Sequence, residues 1–164
     1  MTGRIARALS AGVALCALVA AGPVMAQEVV TKQYDDGGIY EGTFKDGKQH
    51  GKGTYRLPNG YEYEGDWVEG EILGQGRAKF PNGSVYEGSF AKGKPNGKGK
   101  IIFADGGTYE GDWADGEIQG QGTATYANGV VYTGSLEKAR HHGKRLMQNT
   151  KGYTYDGDSV QRLK

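Results

Sequence analysis

The side chains able to carry acid–base, nucleophilic or metal chemistry are few, and their spacing argues against each use. The histidines are His50, His141 and His142. Advancing from His50 in steps of 23 residues reaches Leu73, Asn96 and Gln119, so an imidazole there stands alone and reads as a surface side chain. His141 and His142 are adjacent and point to opposite faces of an extended chain, inside a basic LEKARHHGKR stretch that repels a cation. GKGK at Gly97 looks like a phosphate loop. Its counterparts in the same phase are GKGT, GQGR and GQGT, and a phosphate cradle needs a strand that feeds a helix N-terminus. Glu41, Glu64, Glu87 and Glu110 suggest paired carboxylates. At that interval successive ones stand two strands, or roughly 10 Å, apart. Lys52, Arg56, Arg77, Lys79, Lys98 and Lys100 interleave with them, which predicts cross-strand ion pairs on a solvated face. The expectation is therefore no catalytic residue, no cofactor site, no metal site and no enzyme.

What these residues share is their phase. YEG begins at Tyr40, Tyr63, Tyr86 and Tyr109, then YTG at Tyr132 and YDG at Tyr155, always 23 residues apart. Within a unit, Tyr40, Gly42 and Phe44 fall on one face of an extended chain, with Glu41 and Thr43 on the other. Gly51, Gly53, Tyr55 and Leu57 then oppose Lys52, Thr54 and Arg56. Alternation at period two predicts strands. Composition agrees: 30 of 164 residues are Gly, only 4 are Pro and 10% are aromatic. Collagen would need far more Pro, and a disordered chain would lack the rings. Helices would lose roughly 1 kcal/mol at each Gly.

The fold expected is all-β, an elongated single-layer antiparallel β-meander of stacked 23-residue hairpins. Asn-Gly at Asn59, Asn82 and Asn128 predicts the tight hairpin turns, with both residues at positive φ. Asp46-Gly47 predicts a longer reversal running to about His50, repeated at Gly70, Gly93 and Gly116. Gly42, Gly51 and Gly53 leave room for neighbouring rings to lie flat across the backbone, so aromatic area replaces a second layer.

The first 26 residues are read separately. Arg4 and Arg7 precede an apolar run, Ala8 to Gly22, and Val24-Met25-Ala26 fits a signal-peptidase site. The run is shorter than the ~20 residues that a bilayer core requires. Cys16 follows Leu15, where lipoprotein processing needs a small residue. The expected organisation is a signal peptide at 1–26 cleaved after Ala26, an N-terminal cap strand at 27–39, four repeats at 40–131, and a degenerate fifth repeat with a basic cap at 132–164. The short Ala-rich leader points to a bacterial protein exported to the periplasm or secreted. From Gln27 onward there is no cysteine, so no disulfide holds the fold.

The YEGxxxxGxxxGxG pattern at Tyr40, Tyr63, Tyr86 and Tyr109 resembles the MORN repeat, strongly from Tyr40 to about Gly129 and weakly from Tyr132 to Gly157. The resemblance implies a twisted antiparallel sheet used for binding or assembly, as in junctophilins, plant phosphatidylinositol-phosphate kinases and a SET-domain lysine methyltransferase. Catalysis in those enzymes belongs to a separate domain, and no stretch of this chain is left over for one. The repeat-defining residues are Tyr40, Gly42, Tyr63, Gly65, Tyr86, Gly88, Tyr109, Gly111, Tyr132 and Gly134. The function expected is a non-enzymatic module of the cell envelope that binds a protein partner or scaffolds an assembly.

Two alternatives rest on charge and on rings. From Tyr132 onward there are seven bases against three acids, whereas Gln27 to Val131 has 11 bases and 16 acids. Lys138, Arg140, Lys144 and Arg145 could attach the chain to an anionic membrane or lipid surface, or could simply keep the last strand edge from pairing. Envelope glycans could stack on the aromatic face if its rings are exposed. No nucleic-acid partner is expected. Charge also alternates by unit: Lys45, Lys48 and Lys52 in the first and Lys92, Lys94 and Lys98 in the third face Glu69, Glu71 and Asp115, Glu117 in the second and fourth. Phe44 and Phe90 alternate likewise with Trp67 and Trp113. Register control and descent from a duplicated double unit both account for that.

Overall fold

A computed structural model of the protein describes residues 28–137, 140–148, 154–158 and 161–162. These form one sheet of thirteen strands, the first twelve in sequence order. β1 (Val30–Gln33) pairs with β2 (Ile39–Lys45), followed by β3 (Lys48–Arg56), β4 (Glu62–Val68), β5 (Glu71–Lys79) and β6 (Val85–Ala91). β7 (Lys94–Ile102), β8 (Thr108–Ala114), β9 (Glu117–Thr125) and β10 (Val131–Glu137) continue the meander. β11 (Arg140–Gln148) pairs with both β12 (Thr154–Asp158) and β13 (Gln161–Arg162). Every pairing is antiparallel.

Each unit couples a seven-residue strand to a nine-residue one. In β4, Tyr63, Gly65 and Trp67 are buried while Glu64 and Val68 are exposed, the alternation that the sequence predicts. The longer strand carries a bulge. Gly65 faces Gly76 and Trp67 faces Ile72, so two steps on β4 are matched by four on β5. The same shift recurs at Gly42/Phe44, Gly88/Phe90 and Gly111/Trp113. A glycine is needed inside the bulge: Gly74 has φ 116, and a Cβ there would stand 2.8 Å from the Asp66 carboxylate. Gly51, expected beneath the rings, belongs to this class, with φ 78.

The two turns exchange the roles expected of them. Asp46-Gly47 is the tight one, since Lys45 pairs directly with Lys48 and both loop residues have positive φ, 51 and 75. Glu69-Gly70, Lys92-Gly93 and Asp115-Gly116 repeat it. At Pro58-Asn59-Gly60 only the glycine has positive φ, 90. There Gly60 N–H donates to Leu57 O and Leu57 N–H to Tyr61 O, while Asn59 Oδ1 accepts from Tyr61 N–H. This is a three-residue loop. Proline is not its cause, because the same loop forms at Ala127-Asn128-Gly129 and Ala104-Asp105-Gly106. What these loops share is an Asn or Asp in second place whose Oδ1 accepts the N–H two residues on, followed by a glycine at positive φ, the chemistry of a three-residue hairpin loop.

Candidate binding site

The core is one layer of side chains on one face. Tyr40, Tyr63, Tyr86, Tyr109 and Tyr132 have no exposed surface at all. Each ring folds forward over its own strand. The hydroxyls donate to the carbonyl three residues on: Thr43 at 3.0 Å, Asp66 at 3.0 Å, Ser89 at 2.9 Å, Asp112 at 3.2 Å and Ser135 at 2.8 Å. The rings of Tyr40, Tyr63, Tyr86 and Tyr109 cover the glycine opposite, so that a Cβ at Gly53, Gly76, Gly99 or Gly122 would strike the ring. At Gly65, Gly88 and Gly111 the obstruction is also the partner strand's backbone.

Edge-to-face contacts then link the units. Tyr40 meets Phe44 at 5.1 Å and Trp67 at 5.1 Å, Tyr63 meets Trp67 at 5.6 Å and Phe90 at 5.0 Å, and Tyr86 meets Phe90 at 5.0 Å and Trp113 at 4.9 Å. The indole N–H groups of Trp67 and Trp113 donate to Gly53 and Gly99 carbonyls, each at 3.2 Å. Burial pushes the Tyr86 and Tyr109 hydroxyls up to about 12 and raises Tyr63 further. The rings of the stripe are packed, so the exposed rings that glycan stacking requires are not supplied by these residues.

At the unit boundaries two kinds of pair alternate. Lys52 Nζ lies 2.5 Å from Asp66 Oδ1, and Lys98 Nζ 2.5 Å from Asp112 Oδ1. Between them Gln75 Nε2 donates to Ser89 Oγ at 2.8 Å, and Gln121 to Ser135. The lysine beside each aspartate holds its carboxyl below the usual range. Asp66 and Asp112 also accept from the Gln75 and Gln121 backbone N–H groups within their bulges, at 2.8 and 2.9 Å. The lysines expected to pair with the glutamate ladder thus pair with these aspartates instead. Among the described residues the ladder keeps Lys100–Glu110 at 3.8 Å and Arg56–Glu41 at 3.7 Å. Alternating Asp-Trp and Ser-Phe in the sequence is the signal that carries this pairing.

A recess opens on the ring face between the two rows of turns. Leu57, Tyr61, Phe80 and Pro81 form one wall, Lys94 and Pro95 the other, above a floor that includes Phe90 and Trp113. It has a volume of about 560 Å³. Tyr61 and Phe80 are half-buried and 6.0 Å apart. They form the rung beyond Glu62–Lys79, and the alternation of faces does not reveal them as a pair because the register there is set by the shift at Gly65/Trp67. The opposite face carries a wider trough with Glu41, Glu64, Lys52, Arg56 and Arg77, mixed in sign and open to water.

The remaining candidates separate from these sites. His50 Nδ1 accepts from Glu69 N–H at 3.4 Å. Among the described residues no three His, Cys, Asp or Glu side chains converge as a metal would need. Lys138 lies outside the described residues. Arg140, Lys144 and Arg145 are on β11, and their side chains fall outside the description too.

Alsin of Rattus norvegicus is 40% identical over 58 residues, and alsin of Homo sapiens 38%. That match covers 32% of this chain and 4% of the relatives' own length. Among solved structures, the SAS-4 TCP domain of Drosophila melanogaster, in complex with a proline-rich motif of Ana2, aligns over 96% of this chain and 99% of that one, with a TM-score of 0.45 and 14% identity. The TCP10 domain of Danio rerio CPAP, in complex with a STIL peptide, covers 81% of this chain and 75% of that one, with a TM-score of 0.43 and 12% identity. Residues 40–60, 63–85, 86–108 and 109–131 each fit the sequence profile of the MORN repeat. With the tyrosine-over-glycine unit recurring in each matched span, the chain belongs to the MORN repeat family.

Proposed function

We propose that this chain is a non-catalytic docking module that receives an extended apolar segment of a partner protein in the recess on its ring face. MORN repeats in general are interaction modules for proteins or membranes. The observation that carries the reading is the recess itself, where half-buried Tyr61 and Phe80 stand over a packed floor. Rigid aromatic walls give up little side-chain entropy on binding, which suits them as anchors. The setting would be the cell envelope, after export and removal of residues 1–26. A peptide library displayed on phage and selected on the purified protein tests this. Enriched peptides should carry apolar residues two apart, and Tyr61→Ser or Phe80→Ser should weaken them at least tenfold while the far-ultraviolet circular dichroism is unchanged. Enrichment that ignores both substitutions sinks the reading.

A second reading follows from the charge of the C-terminal part, seven bases against three acids. In it Lys138, Arg140, Lys144 and Arg145 hold the chain on an anionic surface. Sedimentation with anionic but not zwitterionic vesicles, lost on reversing those four charges, is the outcome it requires.

A further inference from the structure

The charge alternation that the sequence displays comes together along one edge of the sheet. The tight turns of units one to four line that edge, and all their charged residues are exposed. The first turn presents Lys45 and Lys48 flanking Asp46, the second Glu69 and Glu71, the third Lys92 and Lys94, the fourth Asp115 and Glu117. The net signs run plus, minus, plus, minus. Backbone contacts fix the order rigidly: Gly70 N–H donates to Gln49 O, Gly93 N–H to Ile72 O and Gly116 N–H to Pro95 O. Yet among the described residues none of these charged side chains ends within ion-pair distance of another, because the ion pairs lie inward at Lys52, Arg56, Lys98 and Lys100. The edge therefore offers its charges outward.

We propose that this edge binds a second copy of the chain about a two-fold axis between units two and three. Turning a copy end for end places unit one against unit four of its partner and unit two against unit three. Every one of those four meetings then joins opposite signs. Centring the axis on unit three, or on unit two, would oppose like signs throughout, and an axis between units one and two or between three and four opposes only two of the four turns to one another, so the central axis is the one that matches all four with unlike signs. Beside the selected axis stand Val68 and Leu73, 39% and 42% exposed, and no other tight turn carries exposed large aliphatics at these two positions. Alternation also keeps neighbouring turns of one chain from repelling. That explanation makes a different prediction for the variants below.

The test is sedimentation velocity on protein made from the full sequence, at about 0.05 M and about 0.5 M salt, since a Debye length shrinking below roughly 5 Å screens exposed pairs. A dimer at low salt should dissociate at high salt, with at least a tenfold rise in Kd. Lys92→Glu with Lys94→Glu should yield monomer at low salt. Adding Glu69→Lys and Glu71→Lys in the same chain should restore the dimer, because the signs become plus, plus, minus, minus and unit one still meets four, unit two still meets three. These substitutions install residues that equivalent turns already carry; Glu69 and Lys92 share φ values of 50 and 51. Zero-length carbodiimide cross-links in the dimer band should join the Lys92–Lys94 peptide to the Glu69–Glu71 peptide. Wild-type monomer at low salt, open-ended polymer, or a four-charge variant that stays monomeric overturns the proposal. The last is what intrachain charge balance alone predicts.

Discussion

Replacing Gly99 by alanine separates a ring-over-glycine core from an ordinary sheet, in which alanine would be preferred. A Cβ on Gly99 has its three nearest atoms in the Tyr86 ring, with Cε2 at 2.5 Å. The ring has no free direction. Phe90 and Trp113 hold it edge-on at 5.0 and 4.9 Å, and its hydroxyl is committed to Ser89 O at 2.9 Å. Overpacking of this kind costs about 1 to 3 kcal/mol. Loss of the hydroxyl's bond adds about 1 kcal/mol, and the stiffer unfolded chain returns about 0.4 to 1. The net expectation is a loss of about 2 kcal/mol, or a fall of about 1 M in the urea midpoint at an m value near 2 kcal/mol/M.

The decisive comparison is made in a Tyr86→Ala background. Once the ring is gone, Gly99→Ala should cost no more than about 0.5 kcal/mol, so the double-mutant cycle should return a coupling of about 1.5 kcal/mol or more. Gly88→Ala supplies the control. Its Cβ would lie 2.5 Å from Gly99 Cα and from Lys98 O, both backbone atoms, so removing the Tyr86 ring should rescue little. Additivity of Gly99→Ala and Tyr86→Ala within about 0.5 kcal/mol would refute the reasoning.

Lys92→Asn should raise the unfolding free energy, read from urea denaturation, by about 0.5 to 1 kcal/mol, because Lys92 sits at φ 51 and asparagine tolerates that region better. Acid unfolding should report the boundary pairs. The carboxyls of Asp66 and Asp112 are depressed below their usual 3.8, so their stabilisation is present above that value and lost as pH falls through the folded one. With Lys52→Gln and Lys98→Gln together, the acid limb of a midpoint-against-pH curve should become shallower. Mass spectrometry of the exported protein should find Gln27 as its N-terminus, and a retained Met1 form in the membrane would contradict export with cleavage after Ala26.

The strands were legible because Tyr40, Gly42 and Phe44 alternate with Glu41 and Thr43, a period that survives every tertiary detail. Tyrosine over glycine was legible for the same reason. The turns were not, since Asn-Gly is the strongest tight-turn signal, yet Asn59 and Asn128 each cap a three-residue loop through Oδ1, whether the residue before is Pro58 or Ala127. Glu69 and Lys92 carry no such signal. They take φ near 50 because the strands that they join leave only two residues to reverse direction. The recess was hidden because of the bulge: Tyr61 and Phe80 form the rung beyond Glu62–Lys79, and counting back from Trp67–Ile72 without the shift at Gly65/Trp67 would set Tyr61 opposite Ala78.

The alternation of boundaries makes the energetic unit longer than the sequence repeat. Asp66 does two things at once: it accepts Gln75 N–H inside its own bulge and receives Lys52 from the unit before. In unit three the same position is Ser89, which takes Gln75 from the preceding unit. A chain slipped by 23 residues sets Lys52 against Ser89, whereas a slip of 46 sets it against Asp112 and keeps the pair. Excising residues 63–85 imposes the first arrangement permanently. In that shortened chain Ser89→Asp should stabilise by about 0.2 to 1 kcal/mol more than it does in the full chain, the range of an exposed ion pair. Equal effects in the two backgrounds, read from urea midpoints, would mean that Lys52 and Asp66 merely coexist and that parity between units has no energetic content.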